Sequence, residues 1–234
     1  MKTVLFDLDG TLLPMDQDHF VKAYFGGLAT TLIPYGYEPN RLIQNIWSGT
    51  KAMIKNNGSK TNEAAFWDHF ASLYEEDVRK DEPLFAHFYE NEFQLVRNVC
   101  GFSQEASKIL AMLKEKGCRI ILATNPIFPA IATHSRIRWA GLQPEDFEWI
   151  TTYENSSHCK PNIEYYRDIL AHIDESADNC IMVGNDVNED MIAGELGMDV
   201  FLLTDCLINR DSKDLTNYPK GSFTELMTYL KAKI

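Results

Sequence analysis

The sequence predicts an α/β fold, a doubly wound parallel sheet carrying a small inserted bundle of α-helices. Three observations lead there. Short apolar runs recur along the chain: TVLFDL at 3–8, CRIILA at 118–123, CIMVG at 180–184 and VFLLT at 200–204. Helically spaced apolar residues separate the later runs, and strands alternating with helices favour parallel pairing with right-handed crossovers. Between residues 15 and 98 the strand pattern disappears and only helical periodicity remains.

The first run is β-branched and aromatic-rich and stops at Asp7-Leu8-Asp9-Gly10-Thr11, so it reads as a buried strand central in the sheet. Residues two apart in a regular strand share a face, which places Asp7 and Asp9 side by side. Gly10 lets the chain turn sharply. Like charges this close repel unless a cation neutralises them, and a divalent metal with oxygen ligands is the simplest neutraliser.

The helical stretch follows. Phe20, Tyr24, Leu28 and Leu32 recur every fourth residue, as do Ile43, Trp47 and Lys51, with Ile46 and Ile54 on the same side. Phe66, Phe70, Leu73 and Tyr74 form a third stripe behind a capping Thr61 or Asn62, and Phe85, Phe88, Tyr89 and Val96 a fourth. Breaks fall at Pro34-Tyr35-Gly36, at Asn56-Asn57-Gly58-Ser59 and near residues 81–83. Four antiparallel helices make a small bundle whose aromatic stripes are expected to be core rather than a ligand box. The expected organisation is an α/β core built from residues 1–15 and 99–234, with the helical insertion at 16–98.

From Phe102 the alternation resumes. Ser103 caps a helix that turns Ala106, Ile109, Leu110 and Leu113 inward and ends before Gly117. A strand at 118–123 leads to a helix over 126–139, a short strand over 147–152, and a helix after Pro161 through Tyr165, Ile169 and Leu170. The strand 180–184, a helix over 188–196 and the strand 200–204 complete the sheet. Ser222 and Glu225 form a capping box for the last helix, and 205–220 reads as surface loop.

Ligands of such sheets bind beyond the carboxyl ends of the strands, and three further stretches lie there. Thr124-Asn125-Pro126 ends the second strand; a hydroxyl and free N–H groups at a helix start form an anion site, although Asn125 also suits a plain N-cap. Lys160-Pro161 precedes a helix. Gly184-Asn185-Asp186 opens an acidic cluster that runs to Asp190. Acids at a helix start need no function of their own.

FDLDGTLL resembles the first motif of the haloacid dehalogenase superfamily of hydrolases, and Thr124-Asn125, Lys160-Pro161 and Asp186-x-x-x-Asp190 resemble the other three, in the superfamily's order. The resemblance covers the whole core, implies a Rossmann-like sheet and makes the helical insertion similar to a cap domain. It also implies residue roles. Asp7 would be the nucleophile and Asp9 the acid/base. Thr124, Asn125 and Lys160 would hold phosphate. Mg²⁺ would be bound by Asp7, the backbone carbonyl of Asp9 and Asp186, with Asp190 supporting it from behind. The implied activity is a phosphatase acting on small phosphorylated metabolites through an aspartyl-phosphate. A sugar-phosphate mutase shares these motifs, and a non-catalytic phosphate-binding protein is the alternative from a different class. Members that cleave carbon–halogen bonds lack the second aspartate, which here is Asp9. A phosphonatase would need a lysine from the cap, and nothing marks Lys51, Lys55 or Lys60 for that.

Composition narrows the partners. With 234 residues the chain can bury roughly 70% of its unfolded surface without disulfides. Its net charge of −12 argues against nucleic acid or an anionic membrane as partner. Five cysteines with no Cys-x-x-Cys pair fit buried thiols in a reducing compartment. The N-terminal apolar stretch is too short for a signal peptide, and no run approaches the length of a membrane span. The expectation is a cytoplasmic monomer or homodimer.

Overall fold

The computed structural model describes residues 2–234. Among them a six-stranded, all-parallel sheet has the order β3-β2-β1-β4-β5-β6. The strands are β1 (Thr3–Phe6), β2 (Arg119–Leu122), β3 (Trp149–Ile150), β4 (Cys180–Gly184), β5 (Asp199–Leu203) and β6 (Lys220–Gly221). The first strand is central, as expected: Phe6 pairs with Leu122 of β2 on one side and Val183 of β4 on the other. Alternation along β1 feeds two cores. Val4 and Phe6 face one layer, with residues of α5 (Gln104–Glu115), α6 (Ala130–Trp139) and α8 (Phe223–Lys233). Leu5 faces the other, with Tyr165, Tyr166 and Ile169 of α7 (Ile163–Ile173).

Between β1 and α5 lie α1 (Gln17–Leu32), α2 (Pro39–Ile54), α3 (Asn62–Ser72) and α4 (Glu82–Glu90). Capping explains their starts. Asp16 accepts from His19 N–H at 2.9 Å, and Thr61 rather than Asn62 caps α3. The aromatic stripes of α1, α3 and α4 pack into one hydrophobic cluster that continues into the sheet layer through Phe93 and Trp139.

Several elements differ from the sequence reading. The buried face of α2 carries Leu42, Ile46, Gly49, Thr50 and Met53, whereas Trp47 and Ile54 are exposed. Gly49 explains the choice of face: the Phe66 ring of α3 fills the place a Cβ would take. The fourth helix stops at Glu90, and a 3-10 segment, Glu92–Val99, carries Val96. The helix after β2 starts at Ala130, not at 126, because residues 126–129 hold two prolines in an irregular turn. Met191–Leu196 is 3-10 rather than α-helix. The loop 205–220 ends in β6, a two-residue strand too short to leave a pattern.

Candidate active site

The carboxyl ends of β1, β2 and β4 meet the helical insertion around one cavity of about 1130 Å³, lined by Asp7, Asp9, Thr124, Asn125, Asp186 and Asp190 among others. Asp7 N–H donates to Val183 O at 2.9 Å, so sheet pairing runs one residue past β1 and fixes Asp7 at the carboxyl end of the central strands. The next residues turn sharply. Gly10 has φ +85°, and a Cβ there would collide with the Asn185 amide. Thr11 places its hydroxyl 3.1 Å from Asp7 Oδ2 and 3.0 Å from Asn185 Oδ1, sharing one proton between them. Asn185 in turn donates to Cys206 O at 2.6 Å, and Ile208 N–H donates to Asn185 O at 2.8 Å. The loop after β5 is thereby tied to the site.

Lys160 is 1% exposed and stands behind Asp7 rather than on the cavity wall. Its ammonium donates to Asp190 Oδ1 at 2.6 Å and Asp7 Oδ1 at 3.0 Å. Burial disfavours its charge, but Asp190 and Asp7 outweigh that and hold it well above the ordinary lysine value. Lys160 is therefore a cation, and its charge reaches the cavity through Asp7. Asp190 Oδ2 also accepts the Asp186 N–H at 2.9 Å, so one carboxylate orients both the lysine and the β4 turn. Asp186 Oδ1 accepts from Asn188 and Glu189 N–H groups, the usual geometry of an acid opening a helical turn.

Thr124 is 2% exposed, and its carbonyl is pinned by Thr151 Oγ1 at 2.7 Å and Tyr165 OH at 2.8 Å. Asn125 Nδ2 donates to Glu189 Oε2 at 3.0 Å. Asn125 is no N-cap: the first N–H of α6, from Ala130, donates to the Glu154 carboxylate at 2.8 and 3.0 Å. The helix-start anion site expected directly after β2 is thus absent, and any anion at this edge must meet Thr124 and Asn125 themselves.

The Asp9 carboxylate does not sit beside Asp7 on open ground. Arg136 of α6, itself 1% exposed, donates from Nη1 to Asp9 Oδ2, while Asp9 Oδ1 is buried without a partner. Burial pushes the Asp9 carboxyl up, Arg136 pulls it down and the Asp7 charge pushes it up again; the outcome is about 6. Arg136 stacks on Phe128, 4.5 Å from the ring centroid, and donates to Thr133 Oγ1 at 3.2 Å.

Sequence reasoning missed Arg136, because an arginine on a helix reads as solvated surface and its partner is 127 residues away. It also missed Glu189. Burial pushes that carboxyl up to about 8 against the pull of Lys160, with Asp190, Asp186 and Asp7 adding to the rise. The acidic run after β4 was the available signal for Glu189.

The donor set fits a hard divalent cation. Asp7 and Asp186 are oxygen donors on adjacent strands, and the Asp9 carbonyl takes none of the loop's backbone hydrogen bonds, which go to Leu8 and Leu13. No group of three His, Cys, Asp or Glu side chains converges among the described residues, and this arrangement asks for two carboxylates and a carbonyl.

The sequence model of the haloacid dehalogenase-like hydrolase family matches residues 1–197. The chain belongs to that family. A glyceraldehyde 3-phosphate phosphatase of Methanothermobacter thermautotrophicus is 26% identical over 209 residues, 87% of this chain and 85% of that protein. Among solved structures, a 2-haloacid dehalogenase from Pseudomonas syringae pv. tomato is 19% identical with a TM-score of 0.67, covering all of both chains. A haloacid dehalogenase-like hydrolase from Bacillus subtilis, bound to magnesium, is 21% identical with a TM-score of 0.59 and covers 98% of each. The structural likenesses concern the fold. No helix among the described residues is long and apolar enough to cross a membrane.

Proposed function

We propose that this family member is a Mg²⁺-dependent phosphatase that cleaves phosphomonoesters of small molecules through an aspartyl-phosphate on Asp7. One observation carries the reading: two carboxylates two residues apart at the same cavity are held by different partners, one by a buried lysine and one by a buried arginine. Asp7 accepts hydrogen bonds from Lys160 Nζ at 3.0 Å and Thr11 Oγ1 at 3.1 Å, while burial raises the Asp9 carboxyl, paired with Arg136, to about 6. That division of labour suits phosphoryl transfer, and Asp9 has no place in carbon–halogen cleavage. The relative named as a phosphatase supports the reading, as does the magnesium-bound neighbour.

Asp7, the Asp9 carbonyl and Asp186 would hold the cation, which supplies charge neutralisation between the Asp7 carboxylate and a phosphate dianion. The chain's own residues do the rest. The Thr124 hydroxyl and Asn125 N–H receive phosphate oxygens at the end of β2. An Asp7 oxygen attacks phosphorus, the bond to the ester oxygen breaks, and Asp9 gives its proton to the departing alkoxide. Water then attacks the same phosphorus while the Asp9 carboxylate takes its proton, and inorganic phosphate and free Asp7 result. The helical insertion covers the cavity as a cap and excludes bulk water.

The test is acid quenching of the protein mixed with p-nitrophenyl phosphate and Mg²⁺. A phosphoprotein should be trapped, be lost in Asp7→Asn, and vanish with a chelator. Turnover without any trapped phosphoprotein, or full turnover in chelator, overturns the reading. A mutase would return the phosphoryl group to a second hydroxyl instead of releasing inorganic phosphate, so phosphate release separates the two.

A further inference from the structure

The cavity is far larger than a phosphate group needs, and its walls away from Asp7 are rings. Phe20, Tyr24 and Phe128 line it next to the carboxylates, with Phe128 centred 5.4 Å from Tyr24 and 6.2 Å from Phe20. Farther out the lining passes to Trp47, Phe66 and Trp67 of α2 and α3. The aromatic stripes of the insertion are therefore core on their packed sides and cavity wall at their inner ends.

Several polar groups on these walls are already engaged within the protein. The Tyr24 and Tyr89 hydroxyls bond each other at 2.9 Å. Thr50 donates to Ile46 O at 3.0 Å, and both Glu154 oxygens accept the Ala130 N–H. Two of the lining cations are also taken: Arg79 pairs with Asp68 and with Glu82 at 3.4 Å, and Lys80 pairs with Glu76 at 3.6 Å. Arg210, hydrogen-bonded to neutral Gln17 at the start of α1, also lines the cavity, on the loop whose Ile208 pairs with Asn185 and Val187. Asp18 and Glu63 add acidic groups to the lining, and burial with Glu154 and Glu82 nearby holds the Glu63 carboxyl above its ordinary value.

From this we infer that the preferred substrate is a phosphomonoester of an alcohol bearing a bulky aromatic or apolar group and no second negative charge. The inference rests on the phosphatase reading and names its substrate class. A polyol or sugar tail would give up its water hydrogen bonds to walls with few free partners. A carboxylate or second phosphate beside α1–α4 would meet Asp18 and Glu63, where the lining cations Arg79 and Lys80 are already paired with acids. A planar or branched apolar tail would displace water from ring faces and gain on both counts. A three-carbon sugar phosphate, the substrate in the name of the archaeal relative, would leave most of the cavity filled with water.

The experiment compares kcat/KM for 2-phenylethyl phosphate, glycerol 3-phosphate and 2-phosphoglycolate, all with alkoxide leaving groups, in the presence of Mg²⁺. The phenyl ester should exceed both others by at least tenfold. Trp47→Ala, at the cavity rim and 43% exposed, removes wall without touching the catalytic groups. It should lower kcat/KM for the phenyl ester about three- to tenfold and leave glycerol 3-phosphate unchanged. If glycerol 3-phosphate or phosphoglycolate matches or exceeds the phenyl ester, the substrate inference fails while the phosphatase reading stands. If the phenyl ester leads but Trp47→Ala lowers all three alike, the wall does not select the tail and the inference also fails. If no ester turns over and no phosphoprotein is trapped, the phosphatase reading itself falls.

Discussion

Lys160 and Asp190 form an ion pair closed off from solvent, with Nζ 2.6 Å from Oδ1 and both side chains at most 1% exposed. The lysine's second contact, Asp7 Oδ1 at 3.0 Å, makes the pair part of the nucleophile's support. Removing the cation leaves two carboxylates facing each other in a dry site. Lys160→Met is therefore expected to cost about 3–5 kcal/mol of stability, the usual range when one member of a buried pair is deleted. Asp190→Asn keeps the side-chain shape and one of the two acceptor oxygens, so either Lys160 or the Asp186 N–H loses its partner; it should cost less than Lys160→Met, yet lower activity by about 10–100-fold through misplacement of Lys160 or of the β4 turn. Urea unfolding of both variants and their steady-state rates check the order.

Arg136 and Asp9 offer a second pair, of the opposite kind: one partner is buried structure and the other is the catalytic acid. Arg136→Met should leave the Asp9 carboxylate without its cation in a buried place, and the protein should lose stability. In an Asp9→Asn background the same substitution should cost less, since the amide carries no charge to strand. A double-mutant cycle by denaturant unfolding is expected to give a coupling on the order of 1–3 kcal/mol. Additive losses would mean that Arg136 is held by Phe128 and Thr133 alone.

Glu189 links the site to pH. Its carboxyl rises from an ordinary 4.5 to about 8 in the folded metal-free chain, chiefly by burial. Between these values the unfolded chain has lost the proton and the folded chain keeps it. Unfolding then releases a proton, and stability falls as pH rises from about 5 to about 8. The contribution of one such proton is at most about 1.4 kcal/mol per pH unit. Glu189→Gln cannot ionise and keeps an oxygen for Asn125 Nδ2, so its stability should decline less steeply over that window. Chemical unfolding in chelator at half-unit pH steps measures both slopes.

What the sequence disclosed follows from how far each signal reaches. The site residues at 7, 9, 124, 125, 186 and 190 follow strand ends, where an apolar run stops at a turn, and Lys160 comes ten residues after β3, just before α7; the structure brings them together at the carboxyl ends of the strands. β4 at Cys180–Gly184 has the bounds that its run CIMVG suggests, because five buried residues leave an unbroken apolar stretch. β6 left no such mark with two residues, one of them exposed. The start of α6 was misplaced because Pro126 suits both a first helical position and an irregular turn; the choice was made by Glu154, a residue 24 positions from the Ala130 N–H that it accepts. Arg136 was illegible for the same reason. Its role depends on a contact between α6 and the β1 turn, and local spacing carries no trace of that.

The division of labour between Asp7 and Asp9 can be separated kinetically. Asp7→Asn removes the nucleophile, so no covalent intermediate can form. Asp9→Asn keeps the backbone carbonyl proposed to meet the cation and loses only the proton shuttle, while Arg136 still finds an amide oxygen to donate to. A p-nitrophenolate leaves without an acid, but an alkoxide needs one. Asp9→Asn should therefore lose about 10²–10⁴-fold in phosphorylation rate on 2-phenylethyl phosphate, the usual worth of general-acid help, and far less on p-nitrophenyl phosphate. Its phosphorylated Asp7 should also hydrolyse slowly, because the attacking water lacks its base. Rapid mixing with p-nitrophenyl phosphate should show a burst near one product per site followed by slow turnover. Equal losses on both esters, with no burst and no acid-trapped phosphoprotein, would leave Asp9 as a carbonyl donor to the cation and assign the proton transfer elsewhere.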